Sequence, residues 1–186
     1  MVRPLARGFL AREFEQRLMR AQTFMRDKMD GIGAVLLTTE QDIGYFSGLE
    51  SQFWHSPTRP IFLVLPSDGA PRAVVPEIVA ETMARTSWLP SENVQTWPAP
   101  VPADDGISLL GGVIKDALAG SKHPDRMGLP MSIESQLRMP LADLRSLCAS
   151  LNVDVVDAIP LTRRSCHSTL HPTSCTPNIH FSFMRD

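Results

Sequence analysis

One loop carries the side chains best suited to binding a ligand. It contains Trp54, His55 and Arg59, and it lies between two apolar stretches, 34–37 and 61–65. The planar guanidinium of an arginine makes two parallel hydrogen bonds to a carboxylate, and an indole offers a flat apolar surface on which a proline ring packs. We therefore consider Arg59, Trp54 and His55 candidate substrate-binding residues. The alternative is an ordinary surface loop with an arginine at a strand entrance.

A second set of reactive side chains lies close to the C-terminus. It consists of Cys166, His167, His171, Cys175 and His180. Thiolate and imidazole groups bind zinc, but such ligands normally come in pairs as C-x-x-C or H-x-x-x-H on a defined turn or helix. Two prolines interrupt this segment, which favours a solvated tail over a metal site.

The acidic pairs do not form a general acid–base dyad. Asp104 and Asp105 are predicted at a helix N-terminus, where acids stabilise the helix dipole. Asp154 and Asp157 bracket a strand, and alternation along the strand points them to opposite faces. The sequence also lacks the G-x-S-x-G, H-E-x-x-H and C-x-x-C motifs of common hydrolases and redox enzymes.

The sequence predicts alternating helices and strands, and these elements position the binding loop. Apolar residues at steps of three and four predict a helix over 11–29 with Phe14, Leu18, Ala21 and Met25 as its buried stripe. Met19, Met25 and Met29 are interpreted as core filler in this helix. Short apolar runs predict strands at 34–38, 45–46, 61–65, 72–75, 94–97, 126–129 and 153–156. Further helices are predicted at 77–85, at 107–118, and from Ser132 to Leu151 with an interruption at Pro140.

These elements predict an α/β fold. The turn chemistry at 66–69 places 72–75 antiparallel to 61–65, so the sheet is mixed. We expect a three-layer α/β/α domain with five or six strands over residues 11–160, followed by a disordered or aberrant tail over 161–186.

Composition excludes several classes of partner. The chain has 186 residues, a net charge of −2 and 43% hydrophobic residues, which suits one domain without a basic field for nucleic acid. No run approaches the roughly 20 apolar residues of a membrane span, and the N-terminus has no apolar signal region. A cytoplasmic protein is expected. Three cysteines predict no disulfide framework, and Cys148 is interpreted as a small buried hydrophobe.

Residues 42–65 read DIGYFSGL after a strand, and then Arg-Pro at the entrance to another strand. This stretch resembles the N-terminal domain of the creatinase/prolidase family. The family comprises the "pita-bread" metallohydrolases, which include Xaa-Pro dipeptidases, Xaa-Pro aminopeptidases and creatinase. The likeness continues in element order over about residues 14–160. It implies a creatinase N-terminal-domain-like, ribonuclease H-like fold that reaches over the active site of a dimer partner.

The resemblance also gives the loop a role. In creatinase, the arginine that leads into this strand helps to hold the substrate carboxylate, and Arg59 matches that position. Trp54 and His55 match as members of the same loop. The aromatic residue that creatinase has two positions before the arginine is Pro57 here, which disfavours creatine as substrate. The resemblance thus implies a peptide or small carboxylate substrate shared between subunits.

Catalysis in this family belongs to a C-terminal domain. There, two Asp, one His and two Glu hold two divalent metal ions (Mn, Zn or Co) that activate water. Full-length relatives follow the strand at 153–156 with a segment reading R-x-x-K-S-x-x-E-I, whereas this chain reads LTRRSCH and ends soon after. No position remains for the five ligands, so we expect no catalytic residue and no metal cofactor in this chain. Its tail resembles a shortened or frame-altered reading of a longer gene.

The expected function follows from this resemblance. The chain is interpreted as the non-catalytic, substrate-capping and dimer-forming domain of a prolidase-like Xaa-Pro metallopeptidase, inactive alone. Its partner is expected to be a second copy or an intact family member. The alternative is a stand-alone interaction module that pairs with an intact family member. A cysteine enzyme using Cys148 or Cys166 has no supporting spacing.

Overall fold

A six-stranded sheet forms the centre of the computed structural model, which describes residues 10–28, 31–56, 60–133 and 135–161. Two short 3₁₀ turns, Gln52–His55 and Ser91–Asn93, accompany the main elements. Those elements are α1 (Ala11–Lys28), β1 (Ala34–Leu37), α2 (Glu40–Ser47), β2 (Phe62–Pro66), β3 (Arg72–Pro76), α3 (Glu77–Thr86), β4 (Val94–Trp97), α4 (Ile107–Ala119), β5 (Arg126–Leu129), α5 (Leu141–Leu151) and β6 (Asp154–Asp157).

The strands lie in the order β4-β3-β2-β1-β5-β6, and the sheet is mixed as predicted. Strand β2 is antiparallel to both of its neighbours, while the β3–β4, β1–β5 and β5–β6 pairs are parallel. Five strands therefore run in one direction and β2 runs against them. The chain leaves β1, β3, β4, β5 and β6, and enters β2, at one side of the sheet, which we call the carboxyl edge.

Helices cover both faces of the sheet and give the predicted three layers. Alternation along β1 sends Val35 and Leu37 into a core with α1, α2 and α3, and Ala34 and Leu36 into a core with α4 and α5. The buried pattern of β1 and β2 is unbroken, as expected for interior strands covered on both sides.

The periodicity of α1 predicted its buried side correctly. Phe14, Leu18, Ala21 and Met25 are all buried. Met19 is 63% exposed, so its interpretation as core filler was wrong. It follows Leu18 by one position, and one residue turns a helix by about 100°, which carries its side chain away from the stripe. Met29 lies outside the described residues.

The predicted strand at 45–46 is wrong, because Tyr45 and Phe46 lie in α2. The hydroxyl of Thr39 caps this helix by accepting a hydrogen bond of 3.3 Å from the backbone N–H of Asp42. Gly48 ends it in the left-handed conformation, with φ at 77°. A short apolar run does not distinguish strand from helix, and here the two caps decide.

The helix predicted from Ser132 is also wrong before Pro140. Within the described part of 131–140 the chain forms no helix, and α5 begins at Leu141. The carboxylate of Asp157 instead accepts hydrogen bonds from the backbone N–H of Met131 at 3.0 Å and from the hydroxyl of Ser132. These contacts hold the connection against the end of β6 and compete with helical hydrogen bonding.

Candidate functional site

A cavity of about 370 Å³ opens at the carboxyl edge of the sheet, and we call it the edge cavity. Its apolar lining comes from Pro60, Ile107, Leu137, Met139 and Pro140. Its polar lining comes from Ser56, Asp105, Arg138 and Asp143. The connections before β2, before α4 and between β5 and α5 all contribute, so the strand order creates the cavity.

Arg138 joins the two sides of the edge cavity. Its backbone N–H donates to Oγ1 of Thr38, just beyond β1, at 3.1 Å. Its guanidinium Nη2 donates to the backbone carbonyl of Ser56 at 3.2 Å. Thr38 is 3% exposed, so the first of these bonds is shielded from water. Arg138 thereby fixes the segment that leads towards position 59 against the connection between β5 and α5.

Asp105 and Asp143, the two acids of the cavity wall, lack the kind of hydrogen-bond partner that Asp104 has in the described part of the chain. As predicted, Asp104 serves the N-terminus of α4: its Oδ1 accepts a hydrogen bond of 2.8 Å from the backbone N–H of Ser108. The carboxylates of Asp105 and Asp143 make no hydrogen bond or ion pair within the part of the chain that the structure describes. Asp105 also has a positive φ of 42°, a conformation that Asp tolerates better than most residues.

The three residues predicted from the sequence have different surroundings. Trp54 is 4% exposed and packs into the core beneath α1 to α3, while His55 is exposed. Arg59 lies outside the described residues, but Ser56 and Pro60 on either side of its segment both line the edge cavity. The substrate-binding roles of Arg59, Trp54 and His55 therefore stay predictions.

The buried indole of Trp54 stabilises the loop from below. Within the described chain its Nε1–H has no hydrogen-bond acceptor, and the same holds for Trp97. The 3₁₀ turn Gln52–His55 that carries Trp54 is capped by the hydroxyl of Ser51, which accepts from the N–H of Phe53 at 3.1 Å. The indole and the cap together hold the backbone of this turn.

Sequence reasoning missed Arg138 as a member of the site. The available signal was its placement: a single arginine between apolar Leu137 and Met139, two positions before the proline that precedes α5. A charged side chain in such a segment needs a polar partner, and here the backbone carbonyl of Ser56 accepts a hydrogen bond from the guanidinium.

Two acids at the carboxyl edge have shifted pKa values of opposite sign. Burial raises the pKa of Asp42, although the Thr39 hydroxyl donates to its Oδ2 at 2.8 Å and works against the rise. Partial burial would also raise the pKa of Asp157, but hydrogen bonds from the Ser132 hydroxyl and from the backbone N–H groups of Ile159, Met131 and Ser132 outweigh it. The pKa of Asp157 is therefore held below its ordinary value.

Cys148 is half-buried against the core of α4 and α5. Burial raises the pKa of its thiol, which disfavours the reactive thiolate. Cys166, His167, His171, Cys175 and His180 lie outside the described residues.

The described side chains do not fit a metal centre. Among residues 10–28, 31–56, 60–133 and 135–161, no group of three or more His, Cys, Asp or Glu side chains is arranged to hold a metal ion. In the same residues no helix has the length and apolar character needed to cross a bilayer.

Comparison with known proteins assigns the chain to one family. Residues 17–165 match the model of the creatinase/prolidase N-terminal domain. No individually curated protein sequence matches the chain.

Solved structures share the fold at low sequence identity. A dipeptidase PepE from Mycobacterium ulcerans is 24% identical with a TM-score of 0.59, and the match covers 84% of this chain and 37% of that one. A recombinant prolidase from Thermococcus sibiricus is 14% identical with a TM-score of 0.58, covering 80% and 35%. A creatinase/prolidase N-terminal domain of an X-Pro dipeptidase from Streptococcus pyogenes is 13% identical with a TM-score of 0.59, covering 80% and 98%. The chain thus spans little more than a third of the first two proteins.

Proposed function

Because this chain belongs to the creatinase/prolidase N-terminal domain family, we propose that it is the substrate-capping and dimer-forming part of a prolidase-like Xaa-Pro metallopeptidase. In this proposal it acts in the cytoplasm as one half of a dimer. In this proposal, hydrolysis depends on two divalent metal ions held by a catalytic domain other than the matched residues 17–165. Matching structures that are more than twice as long as the matched region are consistent with this division.

One observation carries the proposal: Ser56 and Pro60, the described residues that precede and follow the stretch with Arg59 in the sequence, both line the edge cavity. Ser56 and Pro60 contribute to the cavity wall, and Arg138 holds the carbonyl of Ser56 at 3.2 Å. Anchoring the backbone near an arginine, as the hydrogen bond at Ser56 does, reduces the entropy lost when that arginine binds a carboxylate. Arg59 is proposed to hold the substrate carboxylate, with exposed His55 at the rim and Trp54 as the buried support of the loop.

The chain alone and the chain with an intact relative provide the test. With Mn²⁺, the purified chain should not cleave an Xaa-Pro dipeptide above the rate of a blank. With an intact family member, it should form mixed dimers, detected by size-exclusion chromatography with light scattering. Cleavage by the lone chain that survives thiol alkylation would contradict the division between capping and catalysis.

Arg59 is tested in the mixed dimer. Arg59→Ala should raise the KM for an Xaa-Pro dipeptide by about tenfold or more, because a charge-assisted hydrogen bond to a carboxylate contributes roughly 1.5–3 kcal/mol. Arg85→Ala is the matched control, since Arg85 is an exposed arginine in α3 whose ion pair with Glu81 lies on the surface. Mixed dimers with unchanged hydrolysis in both variants would instead support the stand-alone interaction module.

A further inference from the structure

We propose that β4, at one end of the sheet, is a docking surface for a second copy of this chain, whose own β4 pairs with it in the antiparallel direction. This inference deepens the proposed dimer-forming role and rests on it, because it names the surface through which two copies meet. Its argument uses residues 72–103 and β6, which the structure describes.

Strand β4 has a paired side and a free side. It lies parallel to β3, with Val94 beside Ala73 and Trp97 beside Pro76. Within the described residues no strand follows it in the sheet order. Because the backbone N–H and C=O groups of successive strand residues point to alternate sides, two of its four residues direct theirs away from β3. An edge of this kind is a template for pairing with another strand.

The charges at the two ends of the sheet differ, and the difference favours β4. Residues 93–103, which contain β4 and the connection after it, carry no charged side chain. Strand β6, at the other end of the sheet, begins with Asp154 and ends with Asp157. Charged residues on an edge strand oppose pairing with another strand. An uncharged edge can lie opposite its own copy without repulsion, so a second copy fits β4 and not β6.

Symmetry and one proline define the register. Two copies of one chain are most simply related by a two-fold axis, which places the same patch of each copy against the other. Antiparallel partners share a face of the sheet, so one residue of β4 lies opposite itself at the axis. With Gln95 there, Val94 pairs with Thr96 of the second copy. With Thr96 there, Val94 would instead meet Pro98, which has no N–H to donate. We therefore assign Gln95 to the axis.

The side chains beside this edge suit a weak and reversible contact. Thr96 is exposed, while Val94 and Gln95 are half-buried, so a second strand would cover all three. Ile78 is 51% exposed and follows Pro76 by two residues, which places it near the end of β4. Stable interfaces bury more than about 1,000 Å² in total, which a strand of four residues and one apolar neighbour does not reach. We therefore expect a dimer that dissociates on dilution.

A disulfide at the axis tests the register. Gln95→Cys places two thiols opposite each other, with Cα atoms about 4.5–5.5 Å apart, a distance that a disulfide spans. Thr96→Cys is the matched control, because its two copies are offset by two residues and their Cα atoms lie roughly 8 Å apart. Under mild oxidation, Gln95→Cys should give a dimer linked within the tryptic peptide 86–115, and Thr96→Cys should give little. Equal linkage of both variants, or none at position 95, would overturn the proposal.

A charge at the same position tests the affinity. Gln95→Glu keeps the shape of the side chain but puts two carboxylates opposite each other, so the Kd of the dimer should rise severalfold in sedimentation equilibrium. Gln136→Glu is the control, since Gln136 is exposed and follows β5 in the other half of the sheet; its Kd should be unchanged. An unmodified chain that stays monomeric up to millimolar concentration would refute the surface, as would a dimer that is insensitive to Gln95→Glu.

Hydrogen exchange provides a test that needs no variant. In the unmodified chain, the N–H groups of β4 that point away from β3 should exchange more slowly as the protein concentration rises through the Kd. Full protection of these groups in the monomer would mean that another segment of the same chain fills the edge, which would overturn the proposal.

The capping role is judged separately, by mixed dimers with an intact family member. If those dimers form and depend on Arg59 while the changes at Gln95 have no effect, the β4 surface is refuted and the capping role stands. Pairing through β4 without any mixed dimer would support the surface and refute the capping role.

Discussion

The backbone N–H of Arg138 donates a hydrogen bond of 3.1 Å to Oγ1 of Thr38, which lies one hundred residues earlier in the chain. Thr38 follows β1, and Arg138 belongs to the connection between β5 and α5. Since the same arginine also reaches the carbonyl of Ser56 through its side chain, it joins three separate segments. Together these bonds join the end of β1, the residue Ser56 and the connection that lines the edge cavity.

Thr38→Val tests the first of these bonds. The valine keeps the shape of the side chain but removes the acceptor, leaving a shielded backbone N–H without a partner. We expect the free energy of unfolding to fall by about 1–3 kcal/mol, measured by urea denaturation. Thr38→Ser keeps the hydroxyl and loses one methyl group, for which about 0.8 kcal/mol is expected. A valine variant as stable as the serine variant would contradict the importance of the bond.

Arg17→Lys tests a buried arginine under the DIGYFSGL segment. The Arg17 side chain is 4% exposed, and its Nη1 donates to the carbonyl of Tyr45 at 2.9 Å. Its guanidinium also stacks over the Tyr45 ring at 4.4 Å and the Phe14 ring at 5.0 Å. Lysine lacks the planar fork, so we expect a loss of about 1–3 kcal/mol in thermal or urea unfolding. The exposed Arg20→Lys is the control and should change stability by less than about 0.5 kcal/mol.

Two glycine-to-alanine changes should have opposite effects on stability. Gly106 has a φ of +81°, and a Cβ there would come within 2.7 Å of the Trp97 ring, so Gly106→Ala should cost more than about 2 kcal/mol. Gly112 lies inside α4 and a Cβ there meets nothing within 4 Å, so Gly112→Ala should stabilise by about 0.5–1 kcal/mol. Melting temperatures of the two variants provide the comparison, and a shared sign would refute it.

The loss of folding stability at low pH should depend on Asp157. Its folded-state pKa lies below the usual unfolded value of about 3.9. A lowered carboxyl pKa contributes stability that is present above the unfolded pKa and is lost as the pH falls through the folded pKa. We therefore expect Asp157→Asn to flatten the fall in stability between about pH 5 and pH 3, followed by urea unfolding. The exposed Asp125→Asn should keep the slope of the unmodified chain, and equal slopes for both variants would contradict the assignment.

Local sequence patterns were sufficient to predict the elements that have strong apolar periodicity or clear turn residues at their ends. The stripe Phe14-Leu18-Ala21-Met25 gave α1 and its buried side, and the turn at 66–69 gave the antiparallel β2–β3 pair. The DIGYFSGL segment led to the correct family, even though its central residues are helical and not extended. A four-residue apolar run has the same appearance in either state, and only the hydrogen bonds at Thr39 and Gly48 distinguish the two.

The sequence by itself determined the alternation of helices and strands, the mixed sheet and the membership of the family, because each rests on periods and motifs within short stretches. Only the tertiary structure decided the edge cavity, the burial of Trp54 and the contacts of Arg138. The physical reason is sequence separation: Thr38, Ser56 and Arg138 meet because strand order brings β1, β2 and β5 together, and no local pattern records that order. Hydrogen-bond partners that lie 82 and 100 residues apart in the sequence meet only when the whole sheet assembles.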